Sequence, residues 1–373
     1  METKVTCDCL HQLAGALLGA FVLATPSMTM AQTNDSVAHR WLAQAAVAVP
    51  FSAPDSKDAW EKQRPAMRAQ LKSLLGVFPA RPKSPPVQTL SSEDRGEYRL
   101  EKFQFDNGLG DVVPGYLLLP KNRPGKVPAI LYCHWHGGQY EIGKEELFRT
   151  NALPVPAGPE LARRGFAVLA IDACCFGERN GQGPGGPAEK GGAGELSASK
   201  FNLWVGRSLW GVMVRDDLMA LDYLCSRPEV DATRIGVTGI SMGATRTWWV
   251  MALDERPRTG VAIGCLTRYQ DLILEQGLKY HGIYYFVPGL LKHFDTEAIV
   301  ALAAPRAMLF QTGDQDFGSP VKGLHQIESM VRPVYKLYDA EKKFENIIYP
   351  GLGHVYTPEI WQKTTAWLER ELR

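Results

Sequence analysis

The sequence lacks a dominant charge. Its 373 residues carry 41 lysines and arginines against 40 aspartates and glutamates, a formal net charge of +1. The basic residues are scattered rather than striped, which argues against a nucleic-acid partner. Cysteine is sparse too, with seven in all. Cys7 and Cys9 fall in the N-terminal leader. Cys133, Cys174, Cys175, Cys225 and Cys265 remain, an odd number set mostly in apolar segments, so free buried thiols are expected. No Cys/His spacing suits zinc, and no metal site is expected. There is no internal repeat.

Long apolar runs are equally few. The run LAGALLGAFVLATPSMTMA, residues 13–31, is broken by Gly, Pro and Thr and makes a poor membrane span. It ends Thr29-Met30-Ala31 before Gln32, and residues 1–31 read as a signal peptide cleaved after Ala31. The flank is weak for that role, since Glu2 and Asp8 oppose Lys4. Export, periplasmic or secreted, is the expectation, with no stable membrane association after cleavage.

What is present is a serine between two glycines: Gly239-Ile240-Ser241-Met242-Gly243, in RIGVTGISMGATRTWW. The pattern alone is common, but here it follows a β-branched run and precedes a stretch of helical length. A strand, a tight turn and a helix form the context of a nucleophile elbow. The reversal is so sharp that side chains two positions either side of the serine would collide, hence the glycines.

Residues 32–95 read as an N-terminal extension with one helix over DAWEKQRPAMRAQLKSLLG and a connector, PARPKSPP. From residue 96 to 373, short apolar runs alternate with helical stretches. YRLEKFQF, VVPGYLLLP, VPAILYCHW, FAVLAIDAC, RIGVTGI, GVAIGC, RAMLFQTG and ENIIYPG are the expected strands. The expected fold class is α/β, a doubly wound and mostly parallel sheet. Two segments break the alternation. Residues 177–200 are rich in glycine and are expected to be a long loop. Residues 267–297 are dense in aromatics and are expected to be a lid-like insertion.

A serine hydroxyl needs a base, and the base an orienting acid, in the chain order serine, acid, histidine for this kind of sheet. His354, in YPGLGHVYTPE, follows the last strand and precedes the last helix, and is the candidate base. His325 falls inside a helix; His281 and His293 fall in the insertion. The loop FQTGDQDFGSP offers two acids. Asp316, the deeper one, suits the reach to His354, and Asp314 suits a brace within the turn. Oxyanion donors are expected from the Met242 amide at the helix start and from Gly138 in His136-Gly137-Gly138. His134 and His136 are expected to organise that loop. In the insertion, Tyr285 and His281 are the candidate substrate-binding residues, a ring face beside a hydrogen-bonding group.

PAILYCHWHGG, AIDACCFGER, DLMALDYLCSRPEVDATRIGVTGISMG, TGDQDFGSP and PGLGH together resemble the α/β-hydrolase superfamily, in its dienelactone-hydrolase-like branch that includes acetyl xylan esterases. The resemblance covers roughly residues 95–373. It implies that Ser241, Asp316 and His354 form a catalytic triad, that Met242 and Gly138 hold the oxyanion, and that carboxylic esters are cleaved without a cofactor. Dienelactone hydrolases proper use a cysteine nucleophile, and glucuronoyl esterases have arginine where Met242 stands. Together with export, the aromatic insertion suggests an acylated carbohydrate or similar small ester. A serine peptidase of the prolyl-oligopeptidase type is the rival, but residues 32–95 are too few for its propeller. A silent binding protein on the same fold is the other rival; an intact triad argues against it.

Overall fold

The computed structural model describes residues 36–82 and 85–373; the expected leader and its cleavage point lie outside the described residues. Strands with no polar face need cover on both sides. The chain satisfies this with one nine-stranded sheet: β1 Val87–Asp94, β2 Tyr98–Asp106, β3 Val112–Pro120, β4 Val127–Cys133, β5 Ala167–Ile171, β6 Val230–Ile240, β7 Thr259–Ile263, β8 Ala307–Gly313 and β9 Phe344–Tyr349. The spatial order is β1-β2-β3-β5-β4-β6-β7-β8-β9. From β5 to β9 neighbouring strands run parallel, while β1, β2 and β3 pair antiparallel and β3 meets β5 antiparallel.

The helices are α1 Val37–Gln44, α2 Lys57–Leu75, α3 Ala157–Arg163, α4 Gly192–Trp204, α5 Leu209–Ser226, α6 Met242–Leu253, α7 Tyr269–Leu274, α8 Thr296–Ala301, α9 Val321–Lys336 and α10 Pro358–Leu372. Alternate strand residues serve opposite faces. Ala129 and Leu131 of β4 face a core built with α2, α5, α6, α8 and α9. Ile130 and Tyr132 face a second core built with α3 and α10. Helix starts follow ordinary chemistry: the Ser56, Ser208 and Thr357 side chains accept from the backbone of the first turns of α2, α5 and α10.

Two expectations need correction. β1 lies before residue 96 yet hydrogen-bonds along β2, and Ser36–Arg373 is one compact unit, so the described residues before 96 are no separate extension. VQTLSSED is an almost wholly exposed strand, so it carries no apolar alternation to announce it. Residues 177–200 are not all loop, because α4 begins at Gly192. Its Glu195, Ala198, Ser199 and Asn202 are buried, and that packing overrides the glycine-rich sequence. The insertion at 267–297 holds α7, short 3₁₀ turns and the start of α8.

One buried ion pair fixes the helix behind the serine. On α6, Arg246 Nε donates to Asp217 Oδ2 of α5 at 2.8 Å, and its second contact to Oδ1 is 2.5 Å. Both side chains are fully buried. Burial opposes the guanidinium charge, but Asp217 outweighs it and holds the Arg246 pKa above its ordinary value. Asp217→Ala leaves that charge unpaired and is expected to lower stability by about 3–5 kcal/mol in urea denaturation. The pair replacement Asp217→Leu with Arg246→Met is expected to restore most of the loss; a double variant as unstable as the single one would contradict this.

Candidate active site

Five loops at the C-terminal ends of the parallel strands meet over the middle of the sheet. A cavity of about 610 Å³ lies among them. Its walls include Ser241 after β6, Cys265 after β7, Asp316 after β8, His354 after β9, and Gly137 and Gly138 after β4.

Ser241 stands at φ 60°, ψ −121°, a backbone region that L-residues seldom occupy. It is held there by its N–H, which donates to the Ile263 carbonyl at 2.8 Å. A Cβ on either Gly239 or Gly243 would run into the Cys133 carbonyl oxygen of the neighbouring β4. The two glycines are therefore required by the closeness of the next strand. The Ser241 hydroxyl faces the cavity and accepts a long contact, 4.0 Å, from the Cys265 thiol. Burial pushes that thiol's pKa up, so it stays protonated. The N–H of Met242, first residue of α6, has no acceptor within the helix.

The structure brings Asp316 and His354 together. His354 Nδ1–H donates to Asp316 Oδ2 at 2.7 Å. Burial works to lower the His354 pKa, but the hydrogen bond and charge of Asp316 prevail and raise it above its ordinary value. Asp314 does not approach His354; its Oδ1 accepts the Gly351 N–H at 2.7 Å and ties the β8 loop to the β9 loop. His325 sits exposed on α9 and His293 is exposed in the insertion.

The β4 loop differs in one respect from the sequence-based expectation. The Gly138 N–H donates to His136 Nδ1 at 3.0 Å rather than standing free for an oxyanion. Gly137 and Gly138 both take positive φ, 53° and 70°, which curls this amide back onto the ring two residues earlier. His136 Nε2–H then donates to Glu195 of α4 at 2.9 Å. His134 is fully buried, its Nε2 accepting the Ala173 N–H at 3.0 Å and its Nδ1–H donating to the Trp135 carbonyl at 2.7 Å. Both histidines thus bind loop groups.

Of the two candidate substrate residues, His281 lines the cavity and Tyr285 does not. Tyr285 is 3% exposed, stacks beneath His281 with ring centroids 4.2 Å apart, and borders a separate apolar cavity on the outer side of the insertion. Aromatic density marked a segment that lines the cavity, but it carries no direction, and the inward ring is a packing ring. His281 is 8% exposed and its Nε2–H donates to the Gly318 carbonyl at 2.9 Å. Burial lowers its pKa and favours the neutral ring. Two side chains at the mouth went unnoticed or undervalued in the sequence. Tyr280, 50% exposed, and Phe317, 70% exposed, stack with centroids 5.9 Å apart. Phe317 directly follows Asp316, and a large apolar side chain in a polar turn was the available clue.

Because Asp316 is what raises the His354 pKa, Asp316→Asn is expected to lower it. Imidazole NMR titration should find His354 above about 6.5, the ordinary histidine value, in the parent protein and lower in the variant. An unchanged titration would remove Asp316 from that role.

Comparison with known proteins agrees with this architecture. The Abhydrolase family profile matches residues 31–349. YtaP of Bacillus subtilis, an inferred hydrolase, is 37% identical over 311 residues, which are 83% of this chain and 100% of that protein. An inferred acetyl xylan esterase of Bacteroides fragilis superposes with a TM-score of 0.71 at 22% identity, covering 90% of this chain and 94% of its own. A glucuronoyl esterase of Solibacter usitatus gives 0.64 at 16% identity, over 89% of this chain and 100% of its own. At those identities the structural likeness speaks for the fold, while the family match spans most of the sequence: the chain belongs to the Abhydrolase family, with an α/β-hydrolase fold.

Proposed function

We propose that the protein is a serine carboxylic-ester hydrolase. The observation that carries this reading is the 2.7 Å bond between Asp316 and His354, in one cavity with a serine held on an elbow. Ser241 Oγ attacks the ester carbonyl carbon as His354 Nε2 takes its proton. Asp316 holds the ring through Nδ1 and stabilises the imidazolium. The Met242 amide meets the developing oxyanion, and Gly138 joins it on release from His136. His354 passes its proton to the departing alkoxide, and the alcohol leaves. A water then gives a proton to His354 and its hydroxide to the acyl carbon; as the bond to Ser241 Oγ breaks, His354 returns that proton to the serine and the acid leaves.

The substrate we propose is an acylated, in particular acetylated, carbohydrate or a similar small ester, met by an exported enzyme. Support comes from the mouth of the cavity. The exposed Tyr280–Phe317 pair offers ring faces, and Lys279 Nζ lies 5.3 Å over the Tyr280 ring. Sugar rings stack their apolar face on such rings while their hydroxyls find donors. The acetyl xylan and glucuronoyl esterases that share the fold act at carbohydrate esters by name. Met242 after the serine, in place of arginine, favours an acetyl ester over a glucuronoyl one.

Ser241→Ala is expected to cost about a million-fold in kcat on p-nitrophenyl acetate, as loss of such a nucleophile does elsewhere. The parent protein should incorporate one organophosphonate per chain, at Ser241. An alanine variant within tenfold of the parent would sink the assignment. For the rim, Phe317→Ala and Tyr280→Ala are expected to raise KM for acetylated oligosaccharides several-fold, as loss of a stacking ring worth about 1 kcal/mol would. p-Nitrophenyl acetate, too small to reach the rim, should show no change; equal losses on both substrates would remove the rim from sugar binding.

A further inference from the structure

A chain of hydrogen bonds runs from the insertion to the histidine of the site. His281 Nε2–H donates to the Gly318 carbonyl at 2.9 Å. The Gly318 N–H donates to Asp316 Oδ1 at 3.0 Å. Asp316 Oδ2, the other oxygen of the same carboxylate, accepts His354 Nδ1–H at 2.7 Å. The carbonyl takes a second donor, Thr267 Oγ1–H at 2.7 Å, also from the insertion and at its start. The ring of His281 is itself fixed, stacked on Tyr285 with an interplanar angle of 16°. The residues around it that bear charge or titrate are Asp316 and His354, and the Tyr285 phenol on which it stacks, whose pKa burial raises.

The Asp316 carboxylate has two oxygens and one task that depends on angle, holding the imidazole plane. Its second oxygen is positioned by the peptide N–H of Gly318, and the Gly318 carbonyl is held by two donors of the insertion. We infer that His281 is a positioning residue for the base, orienting Asp316 and hence His354 through the backbone of Gly318, whose carbonyl and N–H lie in adjacent peptide planes. The inference rests on the proposed triad and deepens it: the segment that walls the substrate cavity also sets the geometry of proton transfer. It replaces substrate contact as the role of His281.

The donor and the ring can be separated by substitution. His281→Phe keeps the stack on Tyr285 and deletes the N–H; His281→Gln can return an N–H near the Nε2 position. With p-nitrophenyl acetate, His281→Phe is expected to lower kcat about tenfold, with KM within twofold, since small misplacements at a reacting group act on turnover. The acid limb of kcat/KM against pH should move to lower pH, because a loosened Asp316 raises the His354 pKa less. His281→Gln should recover most of the turnover and the original limb. Near-ultraviolet circular dichroism checks the fold. Should His281→Phe not fold, Thr267→Val, which removes the other donor to the same carbonyl, carries the same expectation. Parent-like kcat and pH profile in His281→Phe would overturn the inference. So would a rise in KM at constant kcat, or equal losses in the Phe and Gln variants. Organophosphonate labelling of the parent at Ser241 tests the triad separately, so failure of one reading is distinguishable from failure of the other.

Discussion

The backbone reversal at Ser241 is the constraint on which the rest depends. A residue at φ 60° is held against its preference by a hydrogen bond to β7, in a turn whose two flanking glycines lie too close to the β4 carbonyl to bear a Cβ. That geometry needs two strands within touching distance of the turn, so it needs β6 in the middle of the sheet. Strain of this kind costs on the order of 1–3 kcal/mol and persists only where surrounding packing enforces it. Here the enforcement is a helix buried over its whole length and locked to α5 by Arg246 and Asp217. Ser241 is thus held by the sheet and a buried helix, while Asp316 and His354 ride on loops.

Those loops are not left loose. Asp314 ties the β8 loop to the β9 loop, Asp316 repeats the tie through His354, and Gly318 ties the β8 loop to the insertion. Each contact joins segments far apart in sequence, so their relative placement follows from a few short bonds rather than from loop stiffness. The β4 loop has its own anchor in the His136–Glu195 bond to α4. Two aspartates one residue apart in one turn therefore do different work, one aligning a ring and the other holding the turn that presents it.

Much of this was legible in the sequence for physical reasons. Buried parallel strands announce themselves as uninterrupted apolar runs, and every expected strand formed. That Ser241, Asp316 and His354 line one cavity was legible from loop order, because each follows a strand's C-terminal end and so reaches the same edge. Features governed by orientation were harder to read. Tyr285 and Tyr280 look alike in sequence, yet one is inside and the other at the rim. The Gly138 amide was expected to be free, but the curl of two glycines turns it onto His136, and no composition reveals that. β1 was missed since a polar edge strand has no alternation, and α4 because its glycines argue locally against a helix that tertiary packing supports.

The insertion enters and leaves between β7 and β8 without contributing a strand to the sheet. In evolutionary terms such a segment is cheap to lengthen or exchange, since closing a longer loop adds only about 0.6 kcal/mol per doubling. Substrate range could drift through it while the sheet and elbow stay fixed. The bond from His281 to Gly318 sets a condition on that freedom. A lineage that replaced the segment wholesale would inherit a new wall and a less steadily held acid, so selection would have to restore a donor at that carbonyl.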